Sequence, residues 1–510
     1  MRSPSPLLSL LALPVSHSAR AQDAGIDQLI NDAMAPITAA VSDFIFYKVH
    51  LFGADIPLVV MWLAIGATFF TLYLGFINLS GFGHAVRVVR GDYSRDDHDG
   101  ELSHFQALTA AVSGTVGIGN IGGVAVAISV GGPGAMFWMV LAGVLGMSTK
   151  FMECTLGTHF RRTADDGSIS GGPMYYLERG LGELGFRRLG QFVGKFYALG
   201  IVIGCMGIGN MFQSNQAFVQ MVAISGGEQH SWLADKGWLF GLFMALLVGV
   251  VIIGGIKSIA RVTSKLVPFM ALLYCSCALV IIGMNAEAIP FALGLVMEGA
   301  FTDSGMAGGA IGALIVGVQR GVFSNEAGIG TAAVAHSAVK TPEPISQGYV
   351  AMLEPFIDTV VICSMTALVV ITTLYYEPGF IQGGIGGIEM TSSAFARNVS
   401  WSPFLIAVAA ILFAFSTLIT WSYYGLKGWT YLVGHSRAAD LGFKTVFCLF
   451  VAVGCSVQLG AILDFSDAMV FVICVPNVLG LYLLAPFVKR ELQSYRTRVA
   501  SGEIPNYRNG

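Results

Sequence analysis

Apolar segments long enough to cross a lipid bilayer recur along almost the whole chain, with short polar connections between them. A membrane-spanning α-helix needs about 20 mostly apolar residues. The hydropathy pattern therefore predicts an all-α polytopic membrane protein with eleven transmembrane helices, at about 56–77, 104–131, 134–158, 192–223, 238–255, 263–284, 305–336, 347–374, 403–433, 443–461 and 465–488.

The N-terminal part of the chain has a different pattern. Arg2 precedes a short apolar run and Ala19–Ala21 has the form of a cleavage site, which is typical of a secretory signal peptide over residues 1–21. Its removal would place the mature N-terminus outside a bacterial cytoplasmic membrane. Within residues 22–55, apolar residues recur at helical spacing over Ile26–Ile45 and predict an amphipathic helix on the periplasmic face. A disordered leader is the alternative for the first part of this segment.

The distribution of lysine and arginine provides an independent test of this topology. With the mature N-terminus outside, nearly all basic residues fall in predicted inner loops or in a cytoplasmic tail over residues 489–510. Lys48, Lys236 and Arg397 are the exceptions. Because basic residues concentrate on the cytoplasmic side of membrane proteins, the pattern predicts a multi-pass protein of the bacterial inner membrane.

The composition agrees with this interpretation. Hydrophobic residues make up 55% of the 510 residues and charged residues only 12%, too few charges to cover a soluble chain of this length. A net charge of −3 gives no indication of a nucleic-acid partner. The eight cysteines lie mostly inside apolar segments without a C-x-x-C motif, so we interpret them as small apolar residues rather than disulfides or metal ligands.

Glycines crowd into the second predicted span. Residues 117–122 match the dinucleotide-binding pattern G-x-G-x-x-G, but no strand precedes them and they lie inside an apolar span, so that interpretation fails. Glycine costs a helix interior roughly 1 kcal/mol relative to alanine. We therefore expect an unwound stretch that lines a cavity, because backbone polar groups cannot face lipid. Close packing of helices through small residues is the alternative.

A second glycine-rich stretch lies in the seventh predicted span, at residues 316–336, together with the polar residues Arg320, Ser324, Asn325 and Glu326. Paired broken helices in corresponding positions of two inverted halves are typical of the central site of secondary transporters. The positive end of a half-helix attracts an anion and its carbonyl end attracts a cation, so a zwitterion such as an amino acid would suit both.

Four stretches of the chain form a distinctive set: SGTVGIGNIGGVAVAISVGGPGAMFW from residue 113, SGGPMYYLERGLG from residue 170, RGVFSNEAGIGTAAVAHSAVKT from residue 320 and QGYVAMLEPFIDTVVICSMTAL from residue 347. They resemble the motifs of the alanine/glycine:cation symporter family. The resemblance implies a LeuT-like fold with five-plus-five inverted repeats over residues 104–284 and 305–488, preceded by one extra span at 56–77. It also implies import of alanine, glycine or a similar small neutral amino acid with Na⁺ by alternating access.

The resemblance also implies a substrate site. The stretch TVGIGN resembles the first broken helix of the sodium:neurotransmitter symporters, where backbone amides hold the substrate carboxylate. Carried over, the amides of Ile118 and Gly119 hold the carboxylate, Phe323 covers the substrate and Trp421 limits its size; a core role is the alternative for Phe323. The full predicted set is Gly117, Ile118, Gly119, Gln213, Phe323, Ser324, Asn325 and Trp421.

Two sodium positions follow from the same resemblance. At one, the Asn120 side-chain oxygen and the Thr115 carbonyl would bind the ion, since Na⁺ prefers hard oxygen ligands as other hard cations do. At the other, the Thr417 hydroxyl would join the carbonyls of Ser113, Val116 and Ala414. A threonine hydroxyl inside a helix often bonds the carbonyl four residues earlier instead, which is the alternative for Thr417.

Charged residues inside predicted spans are costly and therefore informative. Six of them are Lys150 and Glu153 in the third span, Arg320 and Glu326 in the seventh, and Glu354 and Asp358 in the eighth. We favour a fixed ion-pair network that braces the broken helix. A proton-carrying glutamate is the alternative and would permit H⁺ coupling.

Other classes of function fit less well. A membrane enzyme would need a catalytic constellation at the membrane boundary, but the histidines are scattered without carboxylate or cysteine partners at motif spacing. We therefore expect no enzyme and no cofactor apart from Na⁺ as the coupling ion. A passive channel and a proton-coupled amino-acid transporter stay open as rivals. The choice among alanine, glycine, serine and glutamine stays open too.

Overall fold

Most of the apolar segments fold as α-helices in the computed structural model, which describes residues 26–51, 54–95, 97–164, 167–302, 309–374, 387–456 and 460–507. The predicted signal peptide lies outside the described residues. The helices of the first half are α1 (Ile26–Ile45), α2 (Leu58–Tyr73), α3 (Ile77–Ser80), α4 (Phe82–Val89), α5 (His104–Thr115), α6 (Val124–Gly131), α7 (Gly134–His159), α8 (Pro173–Glu183), α9 (Arg187–Met206), α10 (Phe212–Ile224), α11 (Gly227–His230), α12 (Gly237–Ile253) and α13 (Gly255–Met284).

The second half continues with helices of very different length. They are α14 (Ile289–Phe301), α15 (Gly309–Asn325), α16 (Ala332–His336), α17 (Pro344–Ala351), α18 (Leu353–Pro355), α19 (Ser364–Leu374), α20 (Gly387–Ala396), α21 (Ser402–Val433), α22 (Arg437–Gly454) and α23 (Gly460–Ala500). Wider π-helical turns occupy Gly119–Gly123, Gly207–Met211 and Phe356–Cys363, and a 3₁₀ turn covers Ala286–Ala288.

Six described helices or helix runs are long and apolar enough to cross a membrane. They are Gly134–His159, Arg187–Ile224, Gly255–Met284, Pro344–Leu374, Ser402–Val433 and Ala468–Ala500. The pair His104–Thr115 and Gly119–Gly131, which bends by 56°, is apolar enough to count as a seventh when its two halves are taken as one span. The apolar helices α2 and α12 are shorter. The chain is thus a helical polytopic membrane protein, and the count of eleven spans stays a prediction.

Several elements lie in segments that the hydropathy pattern predicts to lie outside the spans. Two antiparallel strands, β1 (Lys48–Leu51) and β2 (Ala54–Pro57), follow α1, and a second short pair, β3 (Arg162–Thr163) and β4 (Ile169–Ser170), follows α7. The helices α14 and α20 have 13 and 10 residues, too few to cross a bilayer. A search for spans of about 20 apolar residues misses such elements for that reason.

Two long helices form the centre of the molecule. The second half of α7, from Gly146 to Thr158, is buried throughout, as is almost all of α21 from Phe413 to Gly428. Helix α7 packs on α15, α16 and α17, while α21 packs on α5, α9 and α10. The helices that lead into the two glycine-rich stretches, α5 and α15, pack on α21 and α7 respectively.

A capping box fixes the beginning of α5. The Ser103 hydroxyl accepts a hydrogen bond from the Gln106 amide at 3.2 Å, and the Gln106 side chain accepts one from the Ser103 amide at 3.0 Å. This reciprocal pair satisfies amides at the N-terminus of the helix. Helix α5 is thus anchored at one end and interrupted at the other.

Candidate functional site

The first glycine-rich stretch is a break in a helix, as its composition predicts. Helix α5 ends at Thr115, and Val116 has extended backbone angles before the π-helical turn Gly119–Gly123 leads into α6. Side chains take over part of the hydrogen bonding there: the Gly117 amide donates to Asn120 Oδ1 at 2.9 Å, and the Ile118 amide donates to Gln213 Oε1 at 3.3 Å.

The second glycine-rich stretch is also a break. Helix α15 ends at Asn325, and α16 begins only at Ala332. In the link between them Glu326, Gly328 and Gly330 have positive φ angles of 57°, 93° and 90°. Such angles are uncommon for a residue with a side chain, so Glu326 is held in a strained conformation by its surroundings.

A buried cavity lies between the two breaks. It brings together many of the residues predicted to bind substrate or sodium: Thr115, Gly117, Gly119, Gln213, Phe323, Ser324 and Trp421. Lining residues that the sequence did not single out as ligands are Gly114, Ile208, Glu326, Ile329 and Val470. Of these lining residues, Gly119 and Phe323 are partly exposed, whereas Glu326 and Ile329 are buried.

Trp421 forms one wall of this cavity and is fixed in place. Its indole Nε1 donates to the Gly114 carbonyl at 3.2 Å. On the other face its ring lies against Gly209, where a Cβ atom would come within 2.4 Å of the indole. The ring therefore has little freedom to move, which suits the predicted role of limiting substrate size.

The proposed second sodium position lies where α5 meets α21. The Thr417 hydroxyl donates to the Ser113 carbonyl at 3.2 Å rather than to its own helix, and the Ser113 hydroxyl donates to the Ser416 carbonyl at 2.6 Å. Ser113, Val116, Ala414 and Thr417 are all buried. The structure thus brings Ser113 and Thr417 into contact, although ion binding there stays a prediction.

Asn120 lies beside the cavity and faces a buried carboxylate. Its Nδ2 donates to Asp358 Oδ1 at 2.5 Å and to Ser324 Oγ at 3.1 Å, while its Oδ1 accepts from Gly117. In this conformation the side chain links the two breaks to each other. Its role as a sodium ligand stays a prediction.

Asn325 lies at the end of α15, at the second break, as Asn120 lies at the first. Its Nδ2 donates to the Thr359 hydroxyl at 3.0 Å and its Oδ1 accepts from the Ala327 amide at 3.0 Å. These contacts hold the start of the second break, and Asn325 does not line the described cavity. Direct contact with substrate stays a prediction for this residue.

The sequence profile of the Sodium:alanine symporter family matches residues 39–509. The chain belongs to this family. It is 37% identical to the "Sodium/alanine symporter AgcS" of Methanococcus maripaludis, over 84% of this chain and 91% of that protein. It is 32% identical to the "Probable sodium/glutamine symporter GlnT" of Bacillus subtilis, over 88% of this chain and 89% of that protein.

A solved structure supports the fold. The crystal structure of MhsT in complex with L-phenylalanine matches with a TM-score of 0.55 at 15% identity, over 76% of this chain and 89% of that chain. At this identity the likeness concerns the fold alone, and it confirms the expected LeuT-like neighbour. Because the sodium:alanine symporter family consists of transporters, the prediction that the chain is not an enzyme is also confirmed.

Buried charged residues of this sodium:alanine symporter family member surround the second break. Lys150 Nζ donates to Glu354 Oε1 at 3.0 Å, and both side chains are fully buried. The guanidinium of Arg320 lies 5.9 Å from the centre of the Phe323 ring. The Lys150–Glu354 pair is the kind of contact that the predicted bracing network requires.

Other buried polar contacts could not be found from the sequence motifs. Gln347 joins two histidines: its Oε1 lies 2.6 Å from His104 Nδ1, and its Nε2 contacts His336 Nδ1. On α23, Asn477 Nδ2 donates to Glu153 Oε1 at 2.8 Å. The sequence signal for the last contact is a lone asparagine, Asn477, in an apolar span.

Proposed function

We propose that the protein is a secondary-active symporter that imports alanine, glycine or a similar small neutral amino acid together with Na⁺ by alternating access. One observation carries the proposal: a small cavity, lined by Gly117, Gly119 and Trp421, lies between two broken helices. The exposed backbone groups of such breaks suit a zwitterion, and the wall formed by Trp421 favours a short side chain.

The proposal includes the architecture around this cavity. Eleven spans in two inverted five-helix repeats, with an extra span at 56–77, would place the cavity near the middle of the bacterial inner membrane. The extent of the match to the family, residues 39–509, supports a single transport unit.

Uptake into proteoliposomes tests the function. Vesicles with an inward Na⁺ gradient should accumulate labelled alanine, and a panel of unlabelled amino acids should compete in order of side-chain size. Accumulation that is absent with every cation and at every pH would contradict symport. Current that persists without a substrate gradient would favour a passive channel instead.

Proton coupling is the second candidate, because Glu326 lines the cavity and could carry a proton. The two coupling ions are distinguished by the driving force. Uptake driven by a pH gradient without Na⁺ would favour protons, whereas uptake that requires Na⁺ at constant pH would favour sodium.

A further inference from the structure

Four carboxyl groups lie buried around the second break, together with a single ammonium group. Their side chains are at most 5% exposed and belong to Glu153, Glu326, Glu354, Asp358 and Lys150. Burying an ionised carboxylate in a membrane protein is costly unless a cation or several hydrogen bonds compensate the charge. The partners of each carboxyl group therefore indicate its charge.

Two of these carboxyl groups, Glu354 and Asp358, have such partners. Glu354 binds Lys150 at 3.0 Å through Oε1, while its Oε2 has no hydrogen-bond partner among the described residues. Glu326 accepts the hydroxyl of Thr331 and lines the cavity. Asp358 uses both oxygens as acceptors. Its donors are Asn120 at 2.5 Å, Ser324 at 2.7 Å and Thr359 at 2.7 Å.

The carboxyl group of Glu153 has an asymmetric environment. Its Oε1 accepts from the Gly328 amide at 2.9 Å and from Asn477 Nδ2 at 2.8 Å. Its Oε2 is fully buried and has no hydrogen-bond partner among the described residues. Lys150, one helical turn earlier, donates to Glu354 instead. This pattern fits a carboxylic acid whose carbonyl oxygen accepts both bonds and whose other oxygen carries a proton.

We propose that Glu153 is a proton-binding site, neutral in the conformation described here, with its proton on Oε2. The site is separate from the residues predicted to bind the amino acid and sodium. It joins three elements, because Glu153 lies on α7, Gly328 in the link between α15 and α16, and Asn477 on α23.

None of the described titratable groups around Glu153 donates a hydrogen bond to its Oε2. Those facing it are Lys150 and Cys154 of its own helix, Glu354 of α18, Tyr176 of α8, Tyr197 of α9 and Cys474 of α23. The two tyrosine hydroxyls donate elsewhere: that of Tyr197 to the Ile329 carbonyl at 2.9 Å, and that of Tyr176 to Asn477. The single cation of this set is bonded to Glu354.

Proton binding at Glu153 would depend on how α7, α23 and the link are arranged. When they lie together the carboxyl is shielded from water and neutral. When α7 parts from α23, water would reach the carboxyl, and a solvated glutamate is ionised at neutral pH. Protonation therefore favours the closed arrangement of these elements, and alkaline pH favours the parted one.

Infrared spectroscopy tests the site without any transport assay. A protonated carboxyl has a C=O stretching band that an ionised carboxylate lacks. In the purified full-length protein in lipid nanodiscs, Glu153→Gln should remove one such band, while the matched buried variant Glu326→Gln should leave that band in place. Identical wild-type and Glu153→Gln spectra would overturn the proposal. Failure of alanine uptake would contradict the proposed function and leave this result standing.

A second measurement covers the case in which Glu153→Gln does not fold. The wild-type protein is labelled with carboxyl-¹³C glutamate, so that glutamate bands shift and the band of Asp358 does not. A shifted band that persists in both Glu326→Gln and Glu354→Gln belongs to Glu153. A band that disappears in either variant, or the absence of any shifted band, would overturn the assignment.

Discussion

The Thr417 hydroxyl donates to the Ser113 carbonyl oxygen across 3.2 Å, which joins the middle of α21 to the last turn of α5. Both residues are buried. The carbonyls at the end of α5 lack helical partners beyond the break, so hard oxygen atoms gather at this junction. This is the chemistry that a sodium ion prefers, and it links the first break to a central helix.

We expect Thr417→Ala to raise the Na⁺ concentration for half-maximal alanine uptake by about tenfold, the equivalent of about 1.4 kcal/mol. The variant removes an oxygen ligand without adding volume. The control is Thr430→Ala on the same helix, where the hydroxyl donates to the Leu426 carbonyl at 2.9 Å and serves only its own turn. An equal increase of the half-maximal Na⁺ concentration in both variants would show that Thr417 acts through the stability of its helix.

Gly117→Ala should abolish uptake while the protein still folds. A Cβ atom on Gly117 would lie 2.9 Å from Thr417 Oγ1 and 3.2 Å from Gln213 Oε1, inside the predicted site. The matched control is Gly123→Ala in the same break, where no described atom lies within 4 Å of the new Cβ. Uptake and thermal stability of both variants are measured together. Loss of uptake in Gly123→Ala as well would indicate that the break tolerates no side chain at all.

The location of the site could be predicted because the breaks are encoded locally. Glycines inside an apolar span weaken the helix wherever they occur, so residues 113–123 and 316–336 indicate both breaks without any tertiary information. The cavity does contain Gly117, Phe323 and Trp421. That these three residues, which are distant in sequence, lie in one cavity could be predicted only from the family resemblance.

The contacts that satisfy the breaks could not be predicted. The Ile118 amide bonds Gln213, and the Gly328 amide bonds Glu153, each across a large sequence separation. A hydropathy profile does not distinguish one polar residue inside a span from another. It therefore does not indicate which backbone amide each polar side chain bonds. Asn120 shows the consequence: the family resemblance predicts a sodium ligand, and in this conformation its side chain bonds Gly117 and Asp358.

Trp421→Leu should allow the transporter to accept larger amino acids. The smaller side chain opens the wall of the cavity and removes the hydrogen bond to the Gly114 carbonyl. We expect unlabelled leucine or methionine to compete with labelled alanine several-fold better than in the wild type. Trp429→Leu is the control, since that indole donates to the Ala439 carbonyl at 3.2 Å, away from the cavity. An unchanged order of competitors would contradict the predicted role.

His84 should make the protein less stable in acid. It lies half-buried in α4, outside the predicted spans, and burial with the nearby Arg87 and Arg496 lowers its pKa from 6.5 to about 4. As the pH falls from 6.5 to 4 the unfolded chain takes up this proton and the folded protein does not, so the free energy of unfolding decreases.

Thermal unfolding measured across this pH range checks the prediction, and His84→Asn should show a shallower decrease. The control is Tyr495→Phe, which removes the hydroxyl 2.9 Å from His84 Nε2 but keeps the ring that buries it. A slope that is the same in the wild type and in His84→Asn would assign the acid sensitivity to other groups.

Lys150→Met should destabilise the protein by about 3–5 kcal/mol, because it leaves the fully buried carboxylate of Glu354 without its cation. The double variant Lys150→Met/Glu354→Gln should recover most of this loss, since no uncompensated charge is left. As a control, Arg95→Met breaks an exposed pair with Asp97 and should cost less than about 1 kcal/mol. The free energy of unfolding of all three variants is measured in detergent solution. If the double variant is no more stable than Lys150→Met, the pair braces the second break through packing rather than through charge.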